Sequence, residues 1–142
     1  MPTLPERFWI FTKDKELIVD FTINKDEQQI ITSFEVDNLD EIIFYLEKAI
    51  DTRKAYYKEE LRVFNVGWGK YCCYFFHDDN VIIIYRAILK MKDKKILKTC
   101  EIIESMFKEL ITIDAIKEWN GDYSLFDDFI TRLKVYFKMS FF

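Results

Sequence analysis

The chain has 142 residues, of which 50% are hydrophobic, 18% aromatic and 32% charged, with a net charge of −4. That length suits one domain over residues 1–142 with a core able to stand without staples, and the apolar content excludes intrinsic disorder. Three Gly and two Pro exclude linkers and glycine-rich phosphate loops, and the acidic balance opposes non-specific nucleic-acid binding.

Arg7 to Thr12, aromatic and β-branched, predicts a first strand. After a turn at Lys13-Asp14-Lys15, Glu16 to Ile23 carries Leu17, Val19, Phe21 and Ile23 at period two, which predicts a second. Asn24 to Glu27 turns the chain again. Gln28 to Val36 then alternates Ile30, Thr32, Phe34 and Val36 as a third strand. Short connections make the three an antiparallel meander. Asn38 and Glu41 have capping-box spacing. A helix over about 38–60 follows, with Leu39, Ile42, Ile43, Leu46, Ile50 and Tyr57 on its apolar face.

The second half repeats the pattern without a residue-level repeat. Arg62 to Val66 and Lys70 to Phe76 read as strands joined by Gly67-Trp68-Gly69. His77 to Asn80 has turn chemistry, and Val81 to Met91 reads as a long strand. Its continuous Val81-Ile82-Ile83-Ile84 run predicts cover on both faces. Leu97, Cys100, Ile103, Met106, Phe107, Leu110 and Ile111 mark a helix up to about residue 118, and Asn120-Gly121-Asp122 breaks it. Ser124, with Asp127 three residues on, begins a last helix carrying Leu125, Phe129, Ile130, Leu133 and Phe137. The expected fold is α+β: a largely antiparallel sheet of about six strands, order βββα–βββαα, packed against three helices.

The first residues carry no basic stretch followed by an apolar run, so no signal peptide is expected, and no apolar run is long enough to span a bilayer. Cys72, Cys73 and Cys100 are odd in number, and adjacent strand residues point to opposite faces. The expectation is a reduced, cytoplasmic protein with no membrane contact.

Chemistry is sparse. Gly67-Trp68-Gly69 lacks the third glycine of a dinucleotide loop and joins two strands, so it reads as a turn. His77 is the only histidine, and four residues of straight strand put it about 13 Å from Cys73, beyond thiol activation. It reads as part of a solvent-facing turn. Three cysteines and one histidine lack zinc spacing. Asp78 and Asp79, or Glu16 and Asp20 taken as facing the same way on one strand, are the nearest approach to a metal-dependent acidic site. No catalytic residue, metal ligand or cofactor is assigned. Trp68, Tyr71, Tyr74 and Phe76, with Lys70 and Arg86, are the best stacking set for nucleic acid, yet they divide between two strand faces and read as core. No nucleic-acid partner is expected.

Charge is distributed unevenly. Residues 14–51 hold eleven acids and three bases, whereas residues 52–98 hold eleven bases and five acids. Asp37, Asp40, Glu41, Glu47 and Asp51 lie at the start and on the outer face of the first helix. Asp40 and Glu41 suit a helix N-terminus. Glu47 and Asp51 repel each other at i,i+4 with no such benefit, which points to a presented negative surface. In size and acidity the chain resembles bacterial toxin-immunity proteins, a likeness of profile that carries no residue with it. It implies an inhibitor that covers the basic cleft of a cognate toxin domain, commonly a nuclease. Asp37, Asp40, Glu41, Glu47 and Asp51 would steer the basic partner, with Tyr45 as anchor. The alternatives are a small metal-dependent enzyme and a structural subunit using the apolar end at Phe141-Phe142; monomer and homodimer stay open.

Overall fold

A computed structural model describes residues 6–34, 38–53 and 60–141. Its strands are β1 (Glu6–Thr12), β2 (Leu17–Asn24), β3 (Gln29–Ser33), β4 (Arg62–Val66), β5 (Gly69–Phe76) and β6 (Val81–Ala87). They form one six-stranded sheet in the order β3-β2-β1-β6-β5-β4, antiparallel throughout. The two meanders therefore join through β1 and β6, with Trp9 opposite Ile84. Helices α1 (Leu39–Thr52), α2 (Asp93–Leu110), α3 (Ile113–Lys117) and α4 (Asp127–Phe141) complete the α+β fold, with a 3-10 turn at Tyr123–Phe126.

The helices cover both faces of the sheet. Phe8, Ile10, Val19, Phe21, Ile83 and Tyr85 meet Ile96, Cys100, Ile103 and Phe107 of α2, with Phe129, Leu133 and Phe137 of α4. On the opposite face Trp9, Phe11, Tyr71, Ile82 and Ile84 meet Ile42, Leu46 and Ala49 of α1. Alternate residues of β1 and β6 thus feed two cores, which explains the unbroken apolar run at Val81–Ile84. Each fully buried aliphatic or Phe side chain contributes about 1.5–3 kcal/mol. No helix among the described residues is long and apolar enough to cross a membrane.

Local details depart from the expected boundaries. The register slips between Ile10 and Phe11, whose partners are Val19 and Leu17, so Ile18 is extra and Leu17 packs with the α1 core. β3 ends at Ser33, and the expected strand residues 35–36 lie outside the described residues. β6 ends at Ala87 rather than Met91, because the Met91 N–H closes a turn on the Ile88 carbonyl at 3.2 Å. The Asn38 side chain makes no cap bond; its Nδ2 instead lies 3.4 Å from the Glu41 carboxylate. α1 ends at Thr52, and Tyr57 lies outside the described residues.

The long second helix is interrupted. Ile111 is extended and buried, and Thr112 caps α3 by accepting from the Ala115 N–H at 3.1 Å. Along α2 it is Ile96, not Leu97, that is fully buried. Asp122 rather than Ser124 caps the following turn, accepting from the Ser124 N–H at 3.0 Å.

Candidate functional site

α1 lies on the sheet through Ile42, Leu46 and Ala49, a spacing of four then three. The same geometry turns Asp40, Phe44, Glu47 and Asp51 into one outward stripe, since all four are exposed at spacings of four, three and four. Phe44 is 57% exposed although aromatic. Its ring stands edge-on to Tyr45 at 5.1 Å and takes the Lys48 ammonium at 6.0 Å. Glu47 meets Lys15 at 3.1 Å in an exposed pair, which offsets its charge only weakly. Asp40 and Asp51 form no ion pair among the described residues.

Of the remaining residues expected at this surface, Glu41 is exposed and Tyr45 is not. Tyr45 is half-buried, its ring 4.7 Å from Tyr71 and 5.5 Å from Phe64. The Glu41 carboxylate lies 3.4 Å from the Asn38 Nδ2 and close enough to the Tyr71 phenol for its charge to act there. Burial first, then the Glu41 charge, pushes the Tyr71 phenol well above its usual range, against an opposing effect of Arg86. Asp37 lies outside the described residues. Three expected carboxylates, Asp40, Glu47 and Asp51, therefore share a stripe whose aromatic is Phe44. Phe44 was legible in principle, because it falls outside the apolar face yet in register with Asp40 and Glu47.

On the α1 side of the sheet, Arg7 engages Asp20 through two hydrogen bonds, the Nε–H bond at 2.9 Å, and lies 4.9 Å over the Trp9 ring. Arg86 stands opposite Arg7 in the sheet, with Tyr71 opposite Arg86. Asp20 is thus bound to a guanidinium, while Glu16 precedes β2 and is exposed. These two do not form the facing pair expected of them, because Glu16 lies outside the strand and the extra Ile18 changes the alternation.

The other reactive side chains are structurally engaged. Cys72 and Cys73 are buried on opposite faces of β5, and Cys100 is buried in α2. Burial pushes the Cys72 thiol up to about 12 and raises those of Cys73 and Cys100, so none is a ready thiolate. His77 is buried, contrary to its expected place facing solvent, and its Nε2 donates to the Ile111 carbonyl at 2.8 Å. The turn that carries it is tight: His77, Asp78 and Asp79 all have positive φ, 55°, 55° and 63°. Asp79 pairs with Arg53 at 3.0 Å. Among the described residues no group of three or more His, Cys, Asp or Glu side chains is arranged to hold a metal ion.

Gly67-Trp68-Gly69 is a hairpin connection, and a Cβ at Gly69 would lie 2.4 Å from the Ala87 carbonyl oxygen. Glycine there serves close strand approach. Tyr71 packs in the α1 core while Phe76 packs in the opposite one with Tyr74 against it, so the aromatics do not form one stacking platform. Comparison with protein-family models, curated proteins and solved structures gave no match.

Proposed function

We propose that this chain is a protein-binding inhibitor of the toxin-immunity kind, which neutralises a basic partner domain by covering its active cleft with the outer stripe of α1. The observation that carries the reading is the exposed Phe44 ring set between Asp40, Glu47 and Asp51 on one helix face. A large aromatic left in water offsets its cost when it becomes the buried centre of an interface. Carboxylates around it steer a cationic partner and reject anionic ones. A rigid sheet behind α1 holds the stripe in its binding geometry, which lowers the ordering cost of association.

The test couples capture to activity. Tagged protein and a Phe44→Ala, Glu47→Lys, Asp51→Lys variant are presented to lysate at low and high salt. The reading expects a stoichiometric basic protein on the parent protein, released by salt, missing from the variant, and catalytically silenced while bound. Equal capture by both proteins would remove the stripe from the account. A captured partner that keeps full activity would end the inhibitor reading.

A further inference from the structure

A second surface, of opposite sign, lies where β6 gives way to α2. Between Ile88 and Cys100 the chain carries Lys90, Lys92, Lys94, Lys95 and Lys98 against a single acid, Asp93. All five lysines are exposed, and none has an ion-pair partner among the described residues. Asp93 does not offset them, because its carboxylate meets the buried Lys70 ammonium at 2.6 Å. Lys70 also donates to the Met91 carbonyl, so one buried cation pins the α2 end of the loop.

The loop is shaped as well as charged. Ile88 to Met91 is a hydrogen-bonded turn with Leu89 and Lys90 at its tip. Leu89 is 53% exposed, and Ile88 beside it is also exposed. Ile88, Lys90, Met91, Lys92 and Lys95 surround a shallow concavity of about 310 Å³. Lys94 and Lys95 occupy the first turn of α2, where the helix dipole disfavours cations. Neither packing nor helix stability explains their presence there.

We infer that this loop is a docking site for an anionic lipid surface, a role separate from the acidic stripe of α1. An exposed apolar turn flanked by exposed lysines fits a fluid interface, where the leucine enters the acyl boundary and the ammonium groups meet phosphates. Duplex nucleic acid would use the lysines but leave Leu89 in water. The net charge of −4 does not prevent the contact, because charges beyond about 8 Å are screened at physiological salt. Each lysine near such a surface strengthens partition about fivefold.

Co-sedimentation of the full chain with vesicles of phosphatidylcholine, with and without about 30% phosphatidylserine, tests this. The expected result is binding to the anionic vesicles alone, reduced at high salt. Lys94→Glu with Lys95→Glu should weaken it at least about tenfold, and Leu89→Ser about tenfold at unchanged salt dependence. The charge reversal places carboxylates where the α2 dipole favours them, so the variant keeps its fold, as circular dichroism will record. Equal sedimentation with neutral vesicles, unchanged binding of either variant, or retention on duplex RNA without binding to anionic vesicles would each overturn the assignment.

Discussion

The Lys70 ammonium, buried in β5, lies 2.6 Å from the carboxylate of Asp93 at the start of α2, across the loop that connects sheet to helix. The two ends of this pair are unequal: the Lys70 side chain is 7% exposed and that of Asp93 58%. A buried ammonium needs its acceptors, whereas an exposed carboxylate has water as a substitute. Lys70→Met keeps the stem but leaves the Met91 carbonyl without its donor, and should cost about 1–3 kcal/mol. Asp93→Asn should cost under about 1 kcal/mol. Urea unfolding of the two variants measures the order, and a larger loss for Asp93→Asn would contradict the account of the pair.

Neighbouring aromatics on α1 should respond oppositely to truncation. Tyr45→Ala removes a half-buried ring from Tyr71 and Phe64 and should destabilise by about 2 kcal/mol. Phe44→Ala touches an exposed ring and should stay within about 0.5 kcal/mol, while partner affinity falls by about tenfold or more. Thermal melts paired with binding titrations separate the two. Loss of stability without loss of binding at Phe44 would make it a packing residue.

Charge on the α1 stripe should act on encounter. Replacing Glu47 and Asp51 by Lys reverses two exposed charges and leaves the buried face of the helix untouched. Association with the basic partner should slow about tenfold at low salt and lose most of its salt dependence, with dissociation altered less. Stopped-flow association at several ionic strengths reads this directly, and rates equal to those of the parent would assign steering elsewhere.

Stability should fall in alkali. Cys72, Cys73, Cys100, Tyr71, Tyr74 and Tyr85 all have folded values raised, each chiefly by burial, above ordinary values of 9.0 for thiols and 10.0 for phenols. The unfolded chain releases these protons first, so it gains stability as pH rises. The native advantage is complete below about pH 9 and is lost progressively as pH climbs toward the folded values, at about 1.4 kcal/mol per pH unit for each group released. Melting temperature should hold near neutrality and drop steeply above about pH 9. A flat profile to pH 11 would mean the thiols and phenols titrate normally in the native state. Iodoacetamide supplies a parallel reading, with three thiols reacting only after unfolding.

Fold class was legible because hydrophobic period distinguishes strands from helices before any contact is known. The strands over Arg62 to Val66 and Lys70 to Phe76 stand within a residue of where alternation and turn chemistry place them. The Val81–Ile84 run announced its two-sided cover. Boundaries were less legible. Met91 continues an apolar pattern from Val81, yet the strand stops at Ala87 because the chain turns over Ile88–Met91, a turn whose Met91 carbonyl is held by Lys70, distant in sequence. Ser124 and Asp122 are both cap residues, and only the path of the chain selects Asp122.

At the candidate site, helical spacing alone places Asp40, Glu47 and Asp51 on one face, and it also places Phe44 among them. Spacing does not say which face of α1 meets the sheet at its margins. Tyr45 turns inward because Phe64 and Tyr71 wait there, on strands that follow far along the chain. Likewise, counting charge from Ile88 to Cys100 finds one acid among five lysines, but only the fold shows that Asp93 serves Lys70 and leaves the lysines unpaired. Sequence by itself determined the elements, their order and the sign of charge along the chain, because periodicity and composition act locally. Tertiary structure alone decided which charges are spent inside and which face outward, because that depends on partners brought together across the sheet.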